Sequence, residues 1–167
     1  MFLSVFFQPF DIFLAPLCFL FLFAFMYAKA NSYRDERLSK MFKRAFYFKI
    51  FCCIAFTSIM EFYYKGGDTE MYYLATQDLQ KALMEGAVSP FTILTQFKVV
   101  NVRDPLAVYF IMDREIYPVY EFMFSSSNFL VPKFALPFSL VFFSSYLCIT
   151  FCFGFFALGG AIRLFKT

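Results

Sequence analysis

Residues 12–28 read IFLAPLCFLFLFAFMYA, an unbroken apolar run with no charged side chain. A helix needs about 20 predominantly apolar residues to cross a bilayer. Residues 46–64, with Lys49 near one end and Glu61 near the other, and 134–158 are two further predominantly apolar runs. The apolar residues come in blocks and not at helical or strand spacing, so they do not describe one soluble core. The whole chain of 167 residues is 61% hydrophobic and 16% charged, with 30 Phe. That is more apolar surface than a soluble domain of this length can cover. The expected fold is therefore an all-α integral membrane protein. It has three transmembrane helices, over 12–28, 46–64 and 134–158, and an external loop containing amphipathic helices. Residues 1–167 form a single membrane domain on this reading, with a cytoplasmic loop over 29–45 and an external loop over 65–133.

Charge orients the spans. Between Lys29 and Lys49 lie seven cations and two anions. A short basic segment beside a span stays cytoplasmic. Topology explains its charge, so nucleic acid is not an expected partner, although contact with anionic lipid fits. The segment 65–133 carries six cations and eight anions, as an external loop can. Residues 1–10 lack the basic start and the cleavage site of a secretory signal, so the first run reads as a retained helix. The N-terminus is expected outside and the C-terminus inside. Eleven Tyr can form the interfacial aromatic belt that the absent Trp would otherwise supply.

The external segment carries helix signals of its own. Tyr72, Ala75, Leu79, Ala82 and Leu83 form one stripe over 69–85. Asp68 or Thr69 can cap that helix and Gly86 can end it. Ser89-Pro90 is a second start, with Ser as cap and Pro at the first position. Residues 91–100 are short and apolar enough to lie in a membrane surface. Ser125-Ser126-Ser127-Asn128 marks a turn before the third span.

Chemistry is sparse. With no His in the chain, Ser-His-Asp and Cys-His catalysis are excluded. No nucleotide, dinucleotide or zinc motif is present. Neither a cofactor nor a metal is expected. The five cysteines, Cys18, Cys52, Cys53, Cys148 and Cys152, all fall in apolar runs and read as small buried hydrophobes.

The tract Tyr63-Tyr64-Lys65-Gly66-Gly67-Asp68-Thr69 stands out at the exit of the second run. It sets a carboxylate, a cation and two flexible glycines where lipid meets water. Asp68 is the candidate catalytic group, and also a plain helix-start residue. A helix start directs backbone N–H groups at anions such as phosphate, and Gly66 and Gly67 allow close approach. Glu61 precedes Lys65 by four, the favourable order for a helical ion pair. If the helix continued, Glu61 and Asp68 would share a face. Lys65, Arg103 and Arg114 are candidate phosphate-binding cations, guanidinium being the better clamp. The runs around both arginines equally suit a solvated surface.

The string YYKGGDTEMYY, Tyr63 to Tyr73, resembles the first external segment of bacterial multi-spanning envelope-polysaccharide proteins similar to C-superfamily glycosyltransferases and polymerases. The strings Ser144-Ser145-Tyr146 and Phe153-Gly154-Phe155-Phe156-Ala157-Leu158, then Arg163, resemble a later span of such proteins. The resemblance implies an enzyme that uses a polyprenyl-phosphate-linked sugar outside the cytoplasmic membrane. In that family a carboxylate of the first external loop acts as general base on the acceptor hydroxyl or helps hold a metal. Asp68 is the matching position. Such enzymes have many more spans, so the resemblance implies the amino-terminal part of a polytopic protein. The alternative expectation is a non-catalytic three-span subunit, whose stripe from Tyr72 to Leu83 docks on other membrane subunits.

Overall fold

The computed structural model describes residues 6–64, 67–98, 103–111, 119 and 123–164. Every regular element among them is helical. The chain divides into two compact units: Met1–Lys65 with Ser145–Thr167, and Gly66–Ser144.

The first unit packs three long helices. These are α1 (Asp11–Asn31), α2 (Glu36–Ile59, continued by a π-helical turn Met60–Tyr64) and the chain's last helix, Tyr146–Leu164. All three are long and apolar enough to cross a membrane. Asp35 starts α2, its carboxylate accepting the Arg37 N–H at 2.8 Å. Pro16 falls in the second turn of α1, where it removes one intrahelical N–H donor. The inner faces carry Cys18, Leu22 and Met26 of α1, Phe42, Phe46 and Cys53 of α2, and Cys148, Phe151 and Cys152 of the last helix. Their outer faces leave Phe13, Phe21, Phe48 and Phe51 exposed, each more than half so. Such outward aromatics suit lipid better than water. The cysteines are free thiols, as expected, and all but half-buried Cys52 are buried. Thiols lie against backbone carbonyls, Cys53 Sγ being 3.5 Å from Thr150 O.

The second unit has its own apolar core. It contains α3 (Asp68–Met84), α4 (Pro90–Thr95), α5 (Pro105–Ile111) and α6 (Ser126–Val141); Tyr146–Leu164 is then α7. The core gathers Ala75, Leu79 and Ala82 of α3, Ile93 of α4, Leu106 and Phe110 of α5, and Phe129 of α6. The helix expected over 69–85 is thus present, with its stripe inward. Tyr72 and Leu83 of that stripe pack at the edge of the same core. The expectation of a free docking stripe is corrected here: its apolar residues are covered by the chain's own helices.

The ends of α3 follow the expected punctuation in part. Gly86 has φ +72°, its N–H reaches Leu83 O at 3.2 Å, and the Ala87 N–H reaches Ala82 O at 3.0 Å. This is a Schellman end, which needs a left-handed residue at that position. At the other end Gly67, and not Asp68 or Thr69, is the cap residue, with φ +95° and ψ −165° and no side-chain cap hydrogen bond. Ser89 caps α4 through the Thr92 N–H at 3.1 Å, with Pro90 at the first position, as expected.

The third long helix begins later than expected. The apolar stretch from Phe134 onward is split, α6 ending at Val141 and α7 starting at Tyr146. Phe143 and Ser144 both have positive φ, +48° and +62°. The turn is pinned to α3 by polar bonds within the second unit. Tyr73 Oη donates to Ser144 O at 2.6 Å, and Gln80 Oε1 accepts from Ser144 Oγ at 2.7 Å and from Ser139 Oγ. Residues 134–141 therefore belong with the core of the second unit, and the run 134–158 is not one helix.

Candidate functional site

Asp68 is the first residue of α3 and is exposed. Together with Glu70 it puts negative charge into the first turn, where the helix dipole favours it. The preceding Gly67 sits in a backbone region that is essentially glycine-only. A Cβ built on Gly67 would meet nothing within 4 Å, so its requirement is conformational and its surroundings are open. The cap residue, a glycine, gives no side-chain cap hydrogen bond, and a helix start is a place where an anion is favoured.

Glu61 and Asp68 do not share a helix face. The π-helical turn holding Glu61 ends at Tyr64, and Gly67 breaks helical geometry before Asp68. Glu61 Oε2 accepts the Phe6 N–H at 2.8 Å, and the Phe6 ring lies 4.6 Å from that of Tyr146. The carboxylate therefore ties the segment before α1 to the end of α2. Arg103 is exposed on the approach to α5, beside Asp104, which accepts the Leu106 N–H at 3.0 Å and so starts that helix. Arg103 and Asp68 thus stand on separate elements of the second unit. Lys65, Gly66 and Arg114 lie outside the described residues.

Two features carried no signal in the sequence. Asp11, the first residue of α1, is 6% exposed. Its Oδ2 accepts the Gln8 N–H at 2.9 Å, while its buried Oδ1 has no hydrogen-bond partner among the described residues. Lys133 of α6 donates to Leu94 O at 2.8 Å and Gln96 O at 2.7 Å, with its ammonium 5.2 Å from the centre of the Phe97 ring. It closes the carbonyl end of α4, where a cation is favoured. Burial pushes the Lys133 ammonium below the usual lysine range. Beside it, Phe91, Leu94, Phe97 and Phe134 project large apolar side chains that are more than half exposed.

No protein-family model matches the chain, and neither does any curated protein or solved structure.

Proposed function

We propose that the chain is an integral membrane protein in which α1, α2 and α7 cross the bilayer. On this reading it forms the amino-terminal portion of a glycosyltransferase-like enzyme of envelope-polysaccharide synthesis. The substrate is a polyprenyl-phosphate-linked sugar. Its phosphate meets the start of α3, and Lys65, Gly66, Gly67, Arg103 and Arg114 are the residues proposed to bind it. Asp68 takes the proton from the acceptor hydroxyl while the sugar leaves its phosphate. One observation carries the reading: an exposed carboxylate at a glycine-led helix start, a few residues beyond the end of a membrane-length helix. The resemblance of the tract Tyr63 to Tyr73 supplies the substrate class.

A second reading is favoured by the exposed apolar residues around α4 and α6. There the chain is a non-catalytic subunit, and Phe91, Leu94, Phe97 and Phe134 meet a larger membrane complex.

The test is lipid-linked sugar turnover by membranes containing the chain and its natural neighbours. Asp68→Asn is expected to abolish turnover, at unchanged abundance and helicity, and Asp68→Glu to retain part of it. Full turnover by Asp68→Asn would remove the catalytic reading. Loss of co-purifying membrane proteins in Phe91→Ser and Phe97→Ser variants would establish the subunit reading instead.

A further inference from the structure

We propose that the cavity at the C-terminal ends of α1 and α7 holds the headgroup of an anionic phospholipid. The cavity measures about 460 Å³ and lies wholly within the first unit. That volume suits a small ligand, since such pockets run from about 300 to 1,000 Å³. Lys29 stands in the last turn of α1 and Arg163 in the last turn of α7, and both line the cavity. Among the described residues no acidic one lines it. Among the described residues neither cation makes an ion pair.

Complementing two helix ends would account for one cation on each helix. It does not account for the space between them. Gly159 and Gly160 line that space, and a Cβ at either would meet nothing within 4 Å. Gly154 on the same helix behaves oppositely, since a Cβ there would lie 2.7 Å from Cys53 Sγ. Gly154 lets two helices touch, whereas Gly159 and Gly160 leave room. A guanidinium and an ammonium facing one space suit a phosphodiester, the first by paired hydrogen bonds and the second as a point charge.

The rest of the lining selects a lipid over free phosphate. Phe155 and three further phenylalanines wall the cavity, and the half-buried Tyr33 closes it. Inorganic phosphate gains nothing from such walls, but acyl chains and the glycerol backbone do. Basic pockets at the ends of spanning helices hold anionic headgroups for this reason. The inference rests on the membrane reading above and not on the chemistry assigned to Asp68.

The experiment is native mass spectrometry of the full chain, released from nanodiscs of equal parts phosphatidylglycerol and phosphatidylcholine. Recovery of the chain in the nanodisc fraction reports membrane insertion separately. One retained phosphatidylglycerol per chain is expected. The double variant Lys29→Ala/Arg163→Ala should retain it about thirtyfold less well. Gly160→Phe keeps both charges but fills the space, and should lose the lipid too. Arg37→Ala/Arg44→Ala removes equal charge from α2 outside the cavity and should retain it. Equal retention of phosphatidylcholine would overturn the proposal. So would equal loss in the Arg37/Arg44 variant, full retention by a Gly160→Phe chain of unchanged helicity, or displacement by millimolar inorganic phosphate.

Discussion

Two glycines of this chain, Gly67 and Gly154, do different work, and their substitutions separate. Gly67 sits at φ +95°, ψ −165° with open space around it. Gly67→Ala meets no neighbour, yet should cost about 1–3 kcal/mol because an L side chain strains that backbone. Gly154 has ordinary helical geometry but no room. Gly154→Ala should cost about 1–3 kcal/mol through overpacking against Cys53. Adding Cys53→Ala should return part of that loss, a coupling that thermal denaturation of the four variants in detergent would measure. Two independent, additive losses would show that the contact is not the cause. Asp68 offers the contrast at the candidate site. It is exposed and its side chain makes no cap bond, so Asp68→Asn should change stability by no more than about 0.5 kcal/mol. A large loss of turnover beside so small a loss of stability would mark chemistry and not folding. Asp68 and its glycines were legible in the sequence because residue type and position alone define a helix start after a long apolar run. The Glu61–Phe6 tie was not, because it joins positions 55 apart in the chain and depends on how α1 and α2 pack.

At the scale of elements, α3 was readable almost to the residue. Its stripe has helical spacing, and a glycine marks its end in a conformation that only punctuation of that kind explains. The break between α6 and α7 was not readable. Neither Gly nor Pro stands at Phe142 to Ser145, and both flanks are apolar. The chain turns there because Tyr73, Gln80 and Ser139 hold Ser144 by hydrogen bonds, which outweighs the cost of positive φ at Phe143 and Ser144. The prolines of α6, Pro132 and Pro137, gave a hint against a continuous span, since neither can donate to the helix ladder. Lys133 makes the fold of this unit testable. Lys133→Met keeps most of the aliphatic stem but leaves the Leu94 and Gln96 carbonyls without their donor. A loss of about 1–2 kcal/mol is expected, seen as faster hydrogen exchange across residues 90–95. Unchanged exchange there would mean that the ammonium does not hold α4. A second tie joins α5 to the end of α3, where Tyr109 Oη donates to Glu85 Oε2 at 2.7 Å. That bond needs the protonated phenol and raises the Tyr109 pKa above its usual 10.0. Its contribution is complete below pH 10.0 and is lost as pH rises through the higher native value. Subtracting the tyrosinate titration of Tyr109→Phe from that of the native chain should leave one proton released above pH 10.0.

For the whole molecule, the order of long helices and the distribution of charge make one topology testable. Asn31 ends α1 and Glu36 begins α2, so only residues 32–35 join the first two long helices, and basic residues flank that join. The next long helix starts at Tyr146, after the entire Gly66–Ser144 unit. If all three cross the bilayer, residues 32–35 and the end of α7 face one side, and the N-terminus and the 66–144 unit face the other. The shift of the third span from Phe134 to Tyr146 leaves this parity unchanged, because it moves residues between the unit and the span without adding a crossing. The positive-inside rule then puts residues 32–35 in the cytoplasm. Ser32→Cys and Ser89→Cys test this at exposed positions in a Cys52→Ser background, since the other four cysteines, Cys18, Cys53, Cys148 and Cys152, are buried. In intact cells a membrane-impermeant maleimide should label Ser89→Cys and leave Ser32→Cys unlabelled until the membrane is opened. The reverse pattern would invert the orientation and place Asp68 on the cytoplasmic side, away from any acceptor outside the membrane. Labelling of both before the membrane is opened would mean that α2 does not cross, and the lipid-linked substrate assigned to Asp68 would lose its physical basis.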